Sequence, residues 1–405
     1  MDFELYKSEK KPSIWRFELS FKFAIFVMLV LSAGVLWLLH KNSEIGYEQI
    51  NYSNTFYKRH KIVAVPEARE KEDWHFVPGT FSMEQVKKNG CIVDGFLSGY
   101  GDKTGDIADM INRSKCVYLH RALETWLRPP DFEKAKEIMQ KVEKRPVVYG
   151  MFLAEAISTR RNYEDPEWDH KFEFKKMCRN GNYNQWEKNS CIPSVDKPEY
   201  RRYLKSITHR AMDLGIQSFL FGQMELQDEN PTFEGTEVKQ VLEDMRSYAK
   251  EKNMQIIIGA QTNAITDEKY LRLFDYIEGG VGIDANGTVE DRPCSSKFSS
   301  CWALLWDKRY SAIANDVLLH LDWSGLTWDD MGVFARMDQD KRLKTLDKLY
   351  HKFTGQNRGF LMPFLAVLNH ENEGCYGPNK HFYTPSKKYR CDDEERINKL
   401  MPSVK

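Results

Sequence analysis

The sequence predicts an α/β protein with a (β/α)8 barrel of the TIM type, preceded by a single N-terminal transmembrane helix. Short apolar runs alternate with amphipathic helical segments, and there are eight such runs. Several runs are apolar almost without interruption, as strands covered on both faces must be. A doubly wound open sheet is the alternative fold. No G-x-G-x-x-G or P-loop motif opens any unit, so nucleotide binding has no support.

Composition favours a folded, globular chain. The 405 residues are 41% hydrophobic and 29% charged, which is far from the composition of disordered proteins. Lys plus Arg equals Asp plus Glu at 59 each, so no basic excess points to nucleic acid as a partner. Aromatic residues make up 13% of the chain. They suit a core, and they also suit sugar binding, because a pyranose ring offers an apolar C–H face to an aromatic ring.

The N-terminal region predicts a membrane anchor. Residues 23–39 are 17 uncharged residues, which at about 1.5 Å per residue just span a bilayer core. Five basic residues precede this run: Lys7, Lys10, Lys11, Arg16 and Lys22. This excess of positive charge on the N-terminal side of the run places the N-terminus in the cytoplasm. A cleaved signal peptide is the alternative, but no convincing cleavage site follows Leu39.

These features predict four regions. They are a cytoplasmic tail (1–22), a transmembrane signal-anchor (23–39), a stalk or lead-in (40–85) and a barrel catalytic domain (86–405). The chain is then a single-pass type II membrane protein, with the lipid bilayer as a partner of residues 23–39 and the C-terminal domain outside the cytoplasm.

Eight cysteines agree with an oxidising compartment. Eight cysteines allow 105 pairings, so the sequence cannot choose among them. Proximity along the chain suggests the pairs 178–191, 294–301 and 375–391, which leaves 91–116 as the fourth. A zinc site is disfavoured because no C-x2-C pair is present.

The predicted strands are Cys91–Ser98, Cys116–Glu124, Val147–Glu155, Gln217–Glu225, Gln255–Asn263, Tyr276–Ile283, Val317–Asp322 and Gly359–Leu368. Helical spacing of apolar residues predicts helices over Phe132–Lys144, Glu199–Leu214, Thr236–Lys252, Asp267–Phe274 and Asp330–Phe353. The polar segment Ser158–Lys197 follows the third strand, so it is expected to be a loop on the active face of the barrel.

The fourth predicted strand begins apolar and ends polar. Because successive side chains of a strand alternate between faces, Phe221, Gln223 and Glu225 are expected to share one face. An uncompensated buried carboxylate costs several kcal/mol, so Glu225 is expected to be paired or to lie in a pocket.

Polar residues recur at the carboxyl ends of the other predicted strands, where a (β/α)8 barrel carries its active site. Amides and imidazoles bind hydroxyl groups, and tryptophan offers a stacking face, so the mixture suits a carbohydrate. The predicted substrate-binding residues are His120, Arg121, Glu155, Gln223, Gln261, Asn263, His320, Trp323 and Asn369.

Paired carboxyl groups at such a site suggest glycoside hydrolysis, in which one protonates the leaving oxygen and the other attacks or activates water. Glu225 is predicted to be the acid, because the apolar strand before it raises its pKa by desolvation. Asp322 is the favoured partner, since strands four and seven face each other across the barrel. Glu278 and then Glu155 follow as alternatives.

Each of these residues also has a structural interpretation. Glu225 is also compatible with a structural salt bridge, Asp322 with a loop cap, and His320 with a satisfied interior imidazole. Arg121 is compatible with a simple ion pair to Glu124 or Asp94. Metal binding is a competing use of the same cluster, but no H-E-x-x-H motif supports it, and no cofactor is predicted.

The eight runs, with Glu225 after the fourth and Asp322 after the seventh, resemble glycoside hydrolases built on the (β/α)8 barrel. The resemblance covers roughly residues 86–400 and implies an acid/base glutamate after the fourth strand and a nucleophile after the seventh. The sequence departs from one large clan of these enzymes, because Gly222–Glu225 lacks the expected Asn-Glu pair and the seventh strand ends in Asp.

The sequence therefore predicts a membrane-anchored, extracytoplasmic glycoside hydrolase acting on a polysaccharide or other glycan. A glycan-binding or assembly barrel without catalysis is one alternative. A metal-dependent hydrolase or deacetylase is another.

Overall fold

A computed structural model describes residues 78–143, 146–165, 170–262, 265–289, 312–321, 330–368, 374–377 and 380–403. The predicted cytoplasmic tail, the predicted membrane segment and most of the predicted stalk lie outside these residues. Among the described helices, none combines the length and the apolar character that crossing a bilayer requires.

Parallel strands form the centre of the fold. In chain order they are β1 (Gly90–Val93), β2 (Tyr118–Glu124), β3 (Val148–Leu153), β4 (Ser218–Phe221), β5 (Ile257–Gln261), β6 (Tyr276–Val281), β7 (Val317–Leu321), β8 (Arg358–Phe360) and β9 (Met362–Val367). From β1 to β8 each strand pairs in parallel with the next one. These strands overlap all eight predicted ones.

The two ends of this sheet meet at Leu361. β8 pairs with β7, while β9 pairs in parallel with β1. Leu361 lies between them, and its N–H donates to the Leu319 carbonyl oxygen at 2.7 Å. β8 and β9 follow each other across Leu361, so the parallel sheet is curled into a half-barrel whose two ends approach each other at this residue.

Within the described residues the α-helices are α1 (Met83–Asn89), α2 (Thr104–Arg113), α3 (Phe132–Met139), α4 (Phe174–Met177), α5 (Pro198–Leu214), α6 (Met224–Gln227), α7 (Glu237–Glu251), α8 (Glu268–Leu271), α9 (Asp330–Arg336), α10 (Gln339–Phe353) and α11 (Glu394–Leu400). The longer ones bury one apolar side, as amphipathic helices against a sheet do. The single helix predicted over Asp330–Phe353 is divided, because Asp338 accepts a hydrogen bond from the Lys341 N–H and starts a new helix.

Helix α1 crosses the predicted boundary between stalk and barrel at residues 85 and 86. Ser82 and Gln85 exchange hydrogen bonds as a capping box that starts this helix. Phe81, which precedes it, is buried, and its N–H donates to Gln255 Oε1 at 3.2 Å. The folded region therefore begins before residue 86.

Antiparallel strands occupy much of the segment after β3 that the sequence predicts to be a loop. Ile157–Ser158, Ser190–Pro193 and Cys178–Tyr183 form a three-stranded sheet in that order. Since this segment follows the carboxyl end of β3, it lies at the end of the barrel where the polar strand-end residues gather.

Three of the four predicted disulfides are confirmed. They are Cys91–Cys116, Cys178–Cys191 and Cys375–Cys391. The pair Cys294–Cys301 lies outside the described residues, and no described cysteine is free. Cys178–Cys191 ties together two strands of the small antiparallel sheet, with a Cα–Cα distance of 5.8 Å.

Candidate active site

The structure describes eight of the twelve predicted site residues, all at or beyond the carboxyl ends of barrel strands or within the upper part of the barrel. They are His120, Arg121, Glu155, Gln223, Glu225, Gln261, Glu278 and His320. Asp322, Asn263, Trp323 and Asn369 lie outside the described residues, and their roles stay predictions.

Glu278 on β6 is the centre of a buried hydrogen-bond network. His120 Nε2 lies 2.8 Å from its Oε2, His320 Nε2 lies 2.8 Å from its Oε1, and Gln261 Nε2 donates to Oε1 at 3.0 Å. Burial alone raises the pKa of Glu278. The N–H groups of His120 and His320, together with the positive charge of His320, outweigh burial, and they hold that pKa well below its ordinary value. Glu278 is therefore a carboxylate.

The partners of the two imidazoles determine where their protons lie. His320 Nδ1 is 2.7 Å from the Leu321 carbonyl oxygen, which only accepts, and its Nε2 faces the Glu278 carboxylate. Both nitrogens therefore carry hydrogen, and His320 is an imidazolium.

His120 is in the opposite protonation state. Burial lowers the pKa of His120 below its ordinary value. The Tyr118 hydroxyl lies 2.6 Å from His120 Nδ1, so it donates to that nitrogen. The neutral ring then keeps its proton on Nε2 and donates to Glu278.

A layer of hydroxyl groups fills the barrel beneath this network. The Tyr118 hydroxyl lies 2.9 Å from Ser218 Oγ and 3.1 Å from the Tyr276 hydroxyl. Gly259 on β5 makes room for Tyr276, because a β-carbon at this position would overlap the tyrosine ring. The network around Glu278 therefore has a packed, hydrogen-bonded floor.

Amide side chains connect Glu278 to Glu155. Gln261, which donates to Glu278, accepts a hydrogen bond from the Gln223 backbone N–H at 3.3 Å. The Gln223 side-chain amide donates to Glu155 Oε1 in a short hydrogen bond. Glu155 follows the end of β3, so the network spans strands that lie on different sides of the barrel.

The end of the fourth strand differs from the sequence prediction. β4 stops at Phe221, and Gln223 has φ −9° and ψ 83° before α6 begins. The expectation that Phe221, Gln223 and Glu225 share one strand face is therefore wrong, because the chain leaves the sheet at Gly222. Glu225 lies instead in the first turn of α6, where it is partly exposed.

Arg121 lies at an interruption of β2. Its φ is +57°, which is uncommon for a residue other than glycine, and the pairing of β2 with β3 shifts register beyond Leu119. The neighbouring residues His120 and Arg121 consequently both reach interior groups. Arg121 Nη2 lies 3.2 Å from Glu124 Oε1, and Arg121 Nε lies 3.5 Å from Asp94 Oδ1.

Three carboxyl groups near Arg121 have raised pKa values, and burial is the main cause in each case. Burial raises the pKa of Glu124 to about 8 and that of Glu155 to about 7, in spite of the nearby arginine charge. The pKa of Asp94 is raised as well. Since one guanidinium cannot neutralise three carboxylates, part of this cluster stays protonated near neutral pH.

Glu155 has two features in common with Asp94 among these groups. It is completely buried, and its Oε2 has no hydrogen-bond partner among the described residues. The charge of Glu225 adds to the rise in its pKa, so the two carboxyl groups are electrostatic neighbours. Glu155 therefore combines burial and a raised pKa with an electrostatic interaction with the partly exposed Glu225.

A small pocket opens at the same end of the barrel. Its polar lining consists of Asp94, Arg121 and His320, and apolar side chains form the rest. Sequence reasoning did not select Asp94 or Glu124 as site residues. Their positions at strand ends could have marked both as site residues, because Asp94 directly follows β1 and Glu124 ends β2.

No group of three or more His, Cys, Asp or Glu side chains in the described ranges is arranged to hold a metal ion.

Comparison with known proteins finds similarity only among solved structures. No protein family and no curated protein matches the sequence. A GH27 β-L-arabinopyranosidase from Geobacillus stearothermophilus is 8% identical with a TM-score of 0.32, over 48% of this chain and 53% of that enzyme. The chain thus spans about half the length of that enzyme.

Two further matches are longer. α-Galactosidase I from Mortierella vinacea is 9% identical over 79% of this chain and 73% of its own, with a TM-score of 0.40. A cyclic α-maltosyl-(1→6)-maltose hydrolase from Arthrobacter globiformis is 13% identical over 78% and 76%, with a TM-score of 0.43. These solved structures are glycosidases, but scores this low assign neither activity nor substrate to this chain.

Gly222→Ala is expected to displace the Glu155 carboxyl group. The added β-carbon would overlap Glu155 Oε2 and lie 3.0 Å from Phe152 Cζ, so we expect a loss of about 1–3 kcal/mol in unfolding free energy. Urea unfolding followed by circular dichroism measures this loss. Gly105→Ala in α2 is the matched control, because its β-carbon meets nothing within 4 Å. Equal stability of the two variants would contradict the packing argument.

The unfolding free energy is expected to fall as pH rises from 5 to 8. Glu155 and Glu124 have folded-state pKa values of about 7 and about 8, above the ordinary value of 4.5, so the folded state binds their protons more tightly. Each group contributes a slope of up to about 1.4 kcal/mol per pH unit in this window. Urea unfolding at several pH values measures the slope, and Glu155→Gln should flatten it. A rise in stability over this range would contradict the assignment.

Proposed function

We propose that this chain is a glycoside hydrolase acting on a polysaccharide or other glycan through two carboxyl groups. The main support for this proposal is the cluster of three carboxyl groups around Arg121, those of Asp94, Glu124 and Glu155, whose pKa values are all raised. Hydrolysis of a glycosidic bond needs a protonated carboxyl group together with a second, ionised one at the same site, and burial within this cluster favours the protonated form near neutral pH.

Within this proposal, Glu155 is the general acid. Its burial keeps a proton on the carboxyl group near pH 7, and its Oε2 has no hydrogen-bond partner among the described residues, so this proton is not committed to a neighbouring side chain. Glu225 is the partner that attacks the anomeric carbon or activates water, because it is partly exposed and lies beside Glu155. The sequence predicts the opposite roles, with Glu225 as the acid and Glu155 as the third choice for its partner.

Glu278 fits a positioning role better than a nucleophilic one. Both of its oxygens accept hydrogen bonds from buried N–H groups, so neither is available to a substrate. The same observation supports the second candidate function, a glycan-binding barrel without catalysis, since one predicted catalytic carboxylate is fully occupied.

We also propose that the barrel lies outside the cytoplasm and is tethered to the bilayer by residues 23–39. Three disulfides support this location, because such bonds persist in oxidising compartments. Protease treatment of intact cells that express the full chain tests it. Digestion of the barrel from outside is the expected result, and its protection until the cells are lysed would contradict the proposal.

Hydrolysis is tested by incubating the purified full chain with a panel of neutral and acidic polysaccharides and measuring new reducing ends. Glu225→Gln is expected to abolish release, whereas Glu243→Gln, at an exposed position on α7, is expected to leave it unchanged. Binding without release by the wild type would favour the glycan-binding barrel. Nuclear magnetic resonance of the first anomer released would then separate retention from inversion.

A further inference from the structure

Two tryptophan rings lie together beside Glu155, outside the network described above. Trp126 follows the end of β2, and Trp186 lies between the antiparallel strands Cys178–Tyr183 and Ser190–Pro193. Their ring centroids are 5.2 Å apart, and the ring planes are tilted by 58°. Both side chains are partly exposed, so the pair forms an open, angled aromatic surface rather than part of the core.

Trp186 is held in place by several contacts. Its Nε1–H donates to the Glu155 carbonyl oxygen at 3.1 Å, which fixes the ring against the end of β3. Its backbone N–H donates to Ser190 Oγ at 3.3 Å, and the Cys178–Cys191 disulfide closes the strands around it. Ordering a partly exposed aromatic ring in this way costs conformational entropy.

Trp126 is held from the other side. The hydroxyl of the preceding Thr125 donates to the Phe152 carbonyl oxygen and accepts from the Ala154 N–H, both at 2.9 Å. The following residue, Leu127, has φ +59° and donates its N–H to the Ala156 carbonyl oxygen at 3.0 Å. Both tryptophans are therefore anchored to the stretch of chain that carries Glu155.

We propose that Trp126 and Trp186 form a carbohydrate subsite that packs against the apolar C–H face of a pyranose ring. This inference rests on the proposed function and deepens it. An angled pair of rings offers two faces to one sugar, and the Trp126 Nε1–H, which has no partner among the described residues, is available to a sugar hydroxyl. The subsite takes a sugar unit adjacent to the bond that Glu155 protonates.

A subsite beside the reacting bond implies that the substrate is a chain of several sugars. Each sugar seated on an aromatic surface adds binding free energy, and about 1.4 kcal/mol corresponds to a tenfold change in affinity. The affinity of the protein for an oligosaccharide is therefore expected to rise with chain length until the subsite is filled.

The experiment is affinity electrophoresis of the full chain in native gels that contain soluble starch, laminarin, xyloglucan, galactomannan or polygalacturonate. The expected result is retardation of the wild type by at least one polysaccharide, with a Kd that rises about tenfold or more in Trp126→Ala and in Trp186→Ala. Trp126→Phe and Trp186→Phe keep a ring and should recover part of the affinity. Glu243→Gln should bind like the wild type.

The outcomes separate the subsite from the proposed hydrolysis. Retardation that is lost in the alanine variants, without cleavage by the wild type, would support the subsite and count against the hydrolase. Cleavage with unchanged affinity in folded alanine variants would overturn the subsite and leave the hydrolase standing. Absence of retardation by every polysaccharide would overturn the subsite. Circular dichroism establishes that each variant is folded, and the phenylalanine variants provide the comparison if an alanine variant is not.

Discussion

Replacing Glu278 with alanine is expected to lower the free energy of unfolding by about 3–5 kcal/mol. The substitution removes the shared acceptor of the His120, Gln261 and His320 side chains, which are all buried. The His320 imidazolium then remains inside the barrel without its counter-ion. Urea unfolding at pH 7, followed by circular dichroism, measures the change.

Two further variants separate loss of charge from loss of volume. Glu278→Gln keeps an acceptor oxygen but removes the negative charge, so it is expected to lose part of this stability. Glu243→Gln changes an exposed carboxylate and is expected to stay within about 0.5 kcal/mol of the wild type. A loss below about 1 kcal/mol in Glu278→Ala would refute the ion pair.

Replacing Glu155 with glutamine is expected to lower kcat for polysaccharide hydrolysis by about 10²- to 10⁴-fold, the usual contribution of a general acid. The amide keeps the size of the side chain and still accepts a hydrogen bond from Gln223, but it has no acidic proton to give. The wild type is expected to lose activity as pH rises through about 7, the folded-state pKa of Glu155. The variant should lack this decline.

An activated substrate shows whether the lost group is the acid. The leaving group of an activated aryl glycoside departs without protonation. Glu155→Gln is therefore expected to break its glycosidic bond at nearly the wild-type rate. Equal losses on the aryl glycoside and the polysaccharide would instead assign Glu155 a nucleophilic or structural role. Unchanged polysaccharide hydrolysis would exclude Glu155 from the chemistry.

The strand ends were predictable because parallel strands bring their carboxyl ends to one edge of a sheet. Alternation of apolar runs and helices therefore predicts that the polar residues at these strand ends, among them His120, Glu155, Gln261 and His320, lie at one end of the sheet. Which side chains bond to each other was not predictable. His120 and Glu278 are 158 residues apart, and their contact depends on the register of several intervening strands.

Local backbone conformation explains the remaining differences. Arg121 adopts a positive φ within a segment, Tyr118–Glu124, that contains no glycine to signal it. Gly222, in contrast, was a usable signal, because glycine within a strand pattern often marks a bend or a close approach. The prediction continued the alternation of strand faces past Gly222 and so placed Glu225 on a strand. In the structure the chain leaves the sheet at Gly222 and enters α6.

The way in which β8 and β9 bring together the two ends of the curled sheet at Leu361 has a consequence for biosynthesis. β8 and β9 follow all other barrel strands in the chain, so a ribosome completes β1 to β7 before the strand that joins them exists. Until then the nascent chain exposes two unpaired strand edges, one on β1 and one on β7, which are templates for pairing with other chains. Premature termination upstream of Arg358 would therefore yield aggregating polypeptide rather than a smaller, partly functional barrel.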